Sequence, residues 1–80
     1  MIPARQSIDE RLVALAEREL PGLDFAAPLM DQLNSLQLLG FALLVQKEFS
    51  VPVANVDITE ENFSSLPALA SLIARKKGIA

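Results

Sequence analysis

The feature that most restricts the fold is a strongly apolar segment near the centre of the chain, LQLLGFALLV at residues 36–45. It follows Asn34-Ser35, where either residue can cap a helix, and it carries no charge before Lys47. We predict a second helix here that runs to about Phe49. Its predicted core face is made of Leu36, Leu39, Ala42, Val45 and Phe49.

Apolar residues also occupy the other faces of this second helix, among them Leu38 and Leu43. An 80-residue chain has one small core, which cannot easily bury a helix on every side. Leu38 and Leu43 cannot both be buried if the predicted core face is correct. We therefore expect part of this helix to remain exposed and to meet a partner.

Two further segments have helical periodicity. The pattern S-x-x-E from Ser7 to Glu10 predicts a capping box at the start of a first helix, which Pro21-Gly22 ends. Ser65 is predicted to cap a last helix, with Pro67 in its first turn, and Gly78 to close it.

The connection between the first two helices, residues 21–34, is long for a small domain. It contains several apolar residues, which we expect to hold it across the core: Leu23, Phe25, Leu29, Met30 and Leu33. A short third helix is predicted at residues 60–63, capped by Asp57 or Thr59. Val51, Val53 and Val56 would suit a strand, but no second strand is available for pairing.

These segments predict an all-α fold in a single domain, residues 1–80. It is a four-helix bundle with three longer helices, one short third helix and a long first loop.

Composition excludes several kinds of chemistry. The chain has no cysteine and no histidine, so it lacks a thiol nucleophile, the usual base near neutral pH and the commonest metal ligand; we expect no metal site. The net charge of −3 argues against nucleic-acid binding. Its basic run, residues 75–77, lies where cations complement the dipole of the last helix.

No targeting or membrane segment is predicted. Charged residues interrupt the N-terminal region, and the longest apolar run, residues 41–45, is too short to span a bilayer. We therefore expect a cytoplasmic protein with no membrane partner.

A small hydrolase that uses the carboxylates of Asp24 and Asp31 is the least favoured function.

Ser35 can have several roles. Periodicity alone favours helix capping. A self-sufficient serine nucleophile is disfavoured, because no base is adjacent in sequence. Attachment of a phosphate-linked group by another enzyme is compatible with a helix N-terminus, where free N–H groups and the helix dipole favour anions.

The stretch LNSLQLLGFALLVQKEFSVPV, residues 33–53, resembles the acyl and peptidyl carrier proteins. Leu33-Asn34-Ser35-Leu36 takes the position of their Asp-Ser-Leu motif, and Glu48-Phe49 ends the second helix as their Glu-x-Phe variants do. Phe63-Ser64-Ser65-Leu66 takes the position of their later step into the last helix. The likeness continues without a gap from about Leu29 to Ile73.

The resemblance implies a non-catalytic carrier with 4'-phosphopantetheine bound covalently to Ser35. A phosphopantetheinyl transferase would attach the arm from coenzyme A, and the arm's thiol would hold an acyl or aminoacyl group as a thioester. The implied partners are an adenylating or acyl-transferring enzyme and downstream synthase or tailoring enzymes. The resemblance implies an acyl-carrier-like arrangement of the bundle, and a monomer is expected.

Two departures from the family pattern affect the expected function. Asn34 replaces the motif's aspartate, which keeps the capping capacity without the charge and leaves an unmodified homologue as an alternative. The second helix lacks the acidic surface of fatty-acid carriers, which favours specialised metabolism of the polyketide or nonribosomal peptide type. The expected partner surface is apolar and consists of Leu36, Leu38, Gly40, Leu43 and Lys47.

A second possible contact is the acidic group Asp57, Glu60 and Glu61, which would otherwise be a solvated cap on the short third helix. The main alternative function is an unmodified interaction module that binds a partner through the apolar second helix.

Overall fold

A computed structural model describes residues 4–78, with side chains from Ser7 onwards. The described chain forms α1 (Ala4–Glu19), α2 (Leu29–Gln32), α3 (Ser35–Phe49), a 3-10 turn (Asn55–Asp57) and α4 (Leu66–Lys77), and these residues include no strand. The prediction of an all-helical fold with three longer helices is confirmed. The helix predicted after Ser35 is α3, and the predicted last helix is α4.

Helix α1 packs against α3 and α4. The predicted capping box at Ser7–Glu10 is wrong, because α1 already begins at Ala4 and Ser7 lies inside the helix. Near the middle of α1, the guanidinium of Arg11 donates to the backbone oxygen of Glu48 at 2.7 Å and to its carboxylate at 3.1 Å. The same guanidinium lies 4.6 Å from the centroid of the Phe49 ring, which ties α1 to the end of α3.

The long first loop is held by apolar contacts, as predicted, and also by an amide. Leu29 and Leu33 are buried, whereas Phe25 is exposed, so its predicted core role is wrong. The side chain of Gln32 accepts from the Asp24 amide at 2.8 Å and donates to the Asp24 carbonyl at 2.8 Å. This exchange satisfies the backbone of a loop that has few secondary-structure partners.

The core face of α3 differs from the predicted one. The buried residues of the helix are spaced by three, four and seven positions, which is the period of one helical face: Leu38, Phe41, Ala42, Val45 and Phe49. Leu36 precedes Val45 by nine residues, so at about 100° per residue the two side chains lie on opposite sides of the helix. The predicted core positions of Leu36 and Leu39 are therefore wrong, and both residues are exposed.

The segment predicted as the short third helix is a turn and not a helix, although Thr59 caps it as predicted: its hydroxyl accepts from the Asn62 amide at 3.1 Å. Residues 60–63 form a hydrogen-bonded turn, in which the Phe63 amide donates to the Thr59 carbonyl at 3.0 Å. The short α-helix is α2, inside the first loop, and the 3-10 turn occupies the segment before Thr59. A three-residue 3-10 turn is typical of a connector too short for an α-helix.

Helix α4 is bounded as predicted. The hydroxyl of Ser65 accepts from the Ala68 amide at 3.1 Å, and Gly78 ends the helix in the left-handed conformation with φ of 77°. Helix α4 contributes six buried residues to a core without buried polar side chains among the described residues. The largest fully buried side chains are Phe41, Phe49, Phe63, Leu12, Leu15, Leu29, Leu69, Ile73 and Val45.

Candidate functional site around Ser35

Ser35 is the first residue of α3, and its neighbour Asn34 caps the helix. The Asn34 side-chain oxygen accepts from the Gln37 amide at 2.8 Å, and the Gln37 side-chain oxygen accepts from the Asn34 amide at 2.9 Å. This is a complete capping box. It decides between the two predicted caps in favour of Asn34.

The hydroxyl of Ser35 is therefore available. Ser35 is exposed, and its hydroxyl makes no hydrogen bond within the described part of the chain. The amides of Ser35 and Leu36 likewise have no acceptor there, whereas those of Gln37 and Leu38 donate to Asn34. An exposed nucleophilic oxygen thus lies beside two open N–H groups at the positive end of a helix.

A groove of about 340 Å³ opens beside Ser35. Its walls come from three parts of the chain: α2, α3 and the 3-10 turn with the residue after it. The residues that line it with Ser35 are Met30, Leu38, Leu39, Asn55 and Ile58. Four of these five side chains are apolar, so the groove suits an apolar or amphipathic group attached near the helix start. Nothing in the sequence pattern singled out Asn55 or Ile58 for such a role.

The predicted partner surface on α3 is exposed except at one residue. Leu36 and Leu43 are 78% and 56% exposed, and Gly40 and Lys47 are also exposed. Leu38 is only 5% exposed, so its predicted place on this surface is wrong; it faces the core and the groove. Leu39 takes its place among the exposed leucines.

Gly40 has no packing role in the described structure. A Cβ added at this position would meet no atom within 4 Å. Glycine in a helix interior destabilises it by about 0.5–1 kcal/mol relative to alanine. The fold therefore does not require a glycine at position 40. Without a side chain there, the exposed face of α3 has a shallow depression beside its leucines.

The three residues of the predicted acidic contact do not have the same surroundings in the structure. Asp57 accepts from the Ala54 amide at 2.9 Å and pairs with the Lys76 ammonium at 2.9 Å. The Ala54 hydrogen bond and the Lys76 partner lower the pKa of Asp57 below its ordinary value of 3.8. Asp57 is thus engaged within the protein, whereas Glu60 and Glu61 remain exposed.

A second groove, of about 540 Å³, shares Met30 with the groove beside Ser35. Its edge carries the carboxylates of Asp31, Glu60 and Glu61. It contains no hydroxyl at a helix start, and Ser64, its one serine, donates to the Glu61 carbonyl. Although this groove is larger, the Ser35 hydroxyl lies at the smaller one.

The two carboxylates considered for a hydrolase, those of Asp24 and Asp31, lie in different elements. Asp24 accepts from the Ala26 amide at 2.9 Å in the first loop, and Asp31 is exposed on α2. Residues 4–78 contain no cluster of three side chains suited to a metal ion. No helix in that range has the length and apolar character needed to cross a bilayer.

No family model, curated protein or solved structure matches the chain significantly. The likeness to carrier proteins therefore depends on the sequence landmarks around Ser35 and on the chemistry of the site.

Proposed function

We propose that this protein is a carrier that holds an acyl or aminoacyl group as a thioester on a phosphopantetheine arm attached to Ser35. The main support is that Asn34 caps α3, which leaves Ser35 exposed beside an apolar groove, with no hydrogen bond from its hydroxyl to any described residue. A helix that needed Ser35 as its cap would use the same oxygen for folding.

The site suits the attachment of a phosphodiester. The Ser35 oxygen would form the new P–O bond to the phosphorus that carries the pantetheine arm of coenzyme A, the P–O bond within the diphosphate would break, and adenosine 3',5'-bisphosphate would leave. No histidine exists to take the hydroxyl proton, so the transferase must supply the base. The open amides of Ser35 and Leu36 would face the product's negative charge.

The bound arm would supply the thiol that this cysteine-free chain lacks. The chain's own contribution is to position the attachment point at the edge of the groove formed by Met30, Leu38, Leu39 and Ile58. An apolar part of the tethered group can lie there and be shielded from water.

The direct test is the intact mass after incubation with coenzyme A and a broad-specificity phosphopantetheinyl transferase. Wild type should gain one arm, Ser35→Ala should gain none, and Ser64→Ala, a matched control at another exposed serine, should behave as wild type. A loaded Ser35→Ala variant, or a wild type that no transferase modifies, would refute the proposal.

Docking on partners is proposed to use the exposed leucines of α3. The helix presents Leu36, Leu39 and Leu43 to solvent and has no acidic residue from Ser35 to Lys47. Burial of leucines depends little on salt, whereas charge-steered association is screened over about 8 Å at physiological ionic strength. This surface favours partners of the polyketide or nonribosomal peptide type over those that recognise an acidic helix.

The transferase, which must itself reach Ser35, provides the docking test. We expect its kcat/KM to vary little with salt, and Leu43→Ala to cost about 1–2 kcal/mol of transition-state binding. The paired change Glu60→Lys/Glu61→Lys is the comparison and should cost less. A steep salt dependence, or a larger effect of the charge reversal, would place docking on the acidic side.

The alternative is an unmodified interaction module that uses the same leucines. Its support is that Leu36 is 78% exposed. An apolar side chain so exposed can contact a partner whether or not Ser35 is modified. The mass experiment separates the two functions, because the module gains no arm under any transferase.

A further inference from the structure

A charged and hydrogen-bonded network connects the end of α4 to the segment that forms one wall of the Ser35 groove. Lys76 pairs with Asp57 at 2.9 Å, and Arg75 donates to the side-chain oxygen of Asn62 at 3.3 Å. Asn62 in turn donates to the backbone oxygen of Asp57 at 2.9 Å. Two side chains from the last turn of α4 thus hold residues 54–62 from one side.

Asp57 is the centre of this network. Its carboxylate oxygen Oδ2 accepts from both the Ala54 amide and the Lys76 ammonium. The same residue's amide donates to the Ala54 carbonyl at 2.9 Å. The carboxylate therefore closes the 3-10 turn on itself and fixes it to α4 at one point.

The turn held in this way forms part of the groove. Asn55, its first residue, and Ile58, which follows it, both line the space beside Ser35. Ile58 also packs against the core, and its amide donates to the Asn55 carbonyl at 3.1 Å. The position of this wall thus depends on a turn of only three residues, which has little stability of its own.

We propose that the Asp57–Lys76 ion pair is a positioning pair that keeps Asn55 and Ile58 in place as a wall of the groove, and so determines how well a group tethered at Ser35 is shielded from water. The shielding of a cargo rests on the proposed carrier function; the position of the wall does not. Neither Asp57 nor Lys76 lines the groove, and the pair acts through the turn that carries Asn55 and Ile58.

The pair is partly shielded from solvent. The side chains of Lys76 and Asp57 are 29% and 14% exposed, and such partial burial strengthens an ion pair relative to one in free solvent. Lys77, the next residue, is exposed and has no ion pair among the described residues. It therefore provides a control with the same charge, one position away.

The experiment uses S35C, which creates a single thiol in a cysteine-free chain. A small polarity-sensitive dye on a short linker reports the surroundings of that position whether or not a transferase recognises the protein. The same dye on A14C, at an exposed position of α1 that lines neither groove, gives the emission of an exposed site. Each label is combined with Lys76→Met, Asp57→Asn or the control Lys77→Met.

We expect the S35C dye to emit at shorter wavelength than the A14C dye, and Lys76→Met and Asp57→Asn to move the S35C emission towards the A14C value. Hydrogen exchange of the Asp57 and Ile58 amides, measured on unlabelled protein, should accelerate roughly threefold to fivefold in both variants, as expected for loss of one partly shielded pair. Lys77→Met should change neither readout.

The proposal is overturned if the S35C dye already emits as the A14C dye does, if neither variant changes the exchange rates, or if Lys77→Met changes them equally. Failure of transferase loading at Ser35 would contradict the carrier function and leave these measurements unaffected. The two ideas can therefore fail independently.

Discussion

Replacement of Asn34 by alanine should destabilise the protein, whereas replacement of Ser35 should not. Asn34→Ala removes the oxygen that accepts from the Gln37 amide at 2.8 Å and leaves that amide without its partner. Loss of such a cap costs about 1 kcal/mol, within a range of about 0.5–2 kcal/mol. For a domain of this size the melting temperature should fall by about 4–8 °C per kcal/mol.

Ser35→Ala provides the matched comparison at the adjacent position. The Ser35 hydroxyl makes no hydrogen bond within the described residues, and alanine is a better helix former than serine. The change should therefore alter the free energy of unfolding by less than about 0.5 kcal/mol. Asn34→Asp keeps the cap and adds a charge that suits the helix dipole, with a gain of about 0.3–1 kcal/mol.

Thermal unfolding followed by circular dichroism measures all three variants under one set of conditions. The expected order of melting temperature is Asn34→Asp above wild type, Ser35→Ala equal to wild type, and Asn34→Ala lowest. If Ser35→Ala lowers the melting temperature as much as Asn34→Ala does, the hydroxyl takes part in capping. The Ser35 hydroxyl would then not be free for modification.

Four further substitutions have outcomes that follow from the structure. The pKa of Asp57 is lowered in the folded protein. The stabilisation from its carboxylate is therefore present above the unfolded pKa of 3.8 and is lost as pH falls through the lower folded pKa. Over this acidic range the melting temperature of Asp57→Asn should fall less than that of wild type. Leu38→Ala should cost about 2–5 kcal/mol of stability, measured by urea unfolding, whereas the exposed Leu43→Ala should cost less than about 0.5 kcal/mol. Gly40→Ala should stabilise the protein by about 0.5–1 kcal/mol in the same assay, and a loss of stability would reveal a packing role for Gly40.

The helices with strong end signals were predictable from sequence. Ser65 and Gly78 mark the ends of α4 with side-chain and backbone chemistry that depends on neighbouring residues alone. Ser7 gave a false start signal, because the S-x-x-E pattern also occurs inside a helix that begins earlier. Local signals thus locate a helix end only where no competing start lies one turn away.

The side of α3 that faces the core could not be assigned from its composition. A helix with apolar residues around most of its circumference offers several possible stripes, and packing against α1 and the rest of the core selects the one through Leu38 and Val45. At the site, the sequence predicted Asn34 or Ser35 as the cap and Ser35 as the attachment point. The groove residues Asn55 and Ile58 come from a distant segment and became neighbours of Ser35 only through the fold.

The capping box of Asn34 and Gln37 has a consequence for how this site would vary among homologues. Since the fold does not use the Ser35 hydroxyl, substitutions at Ser35 are close to neutral for stability. Other residues would therefore replace this serine in homologues unless its oxygen were needed. Asn34 and Gln37, by contrast, are constrained by folding alone. If diverged homologues keep serine at this position while the residues at positions 34 and 37 change, the serine is under selection for its oxygen and not for folding.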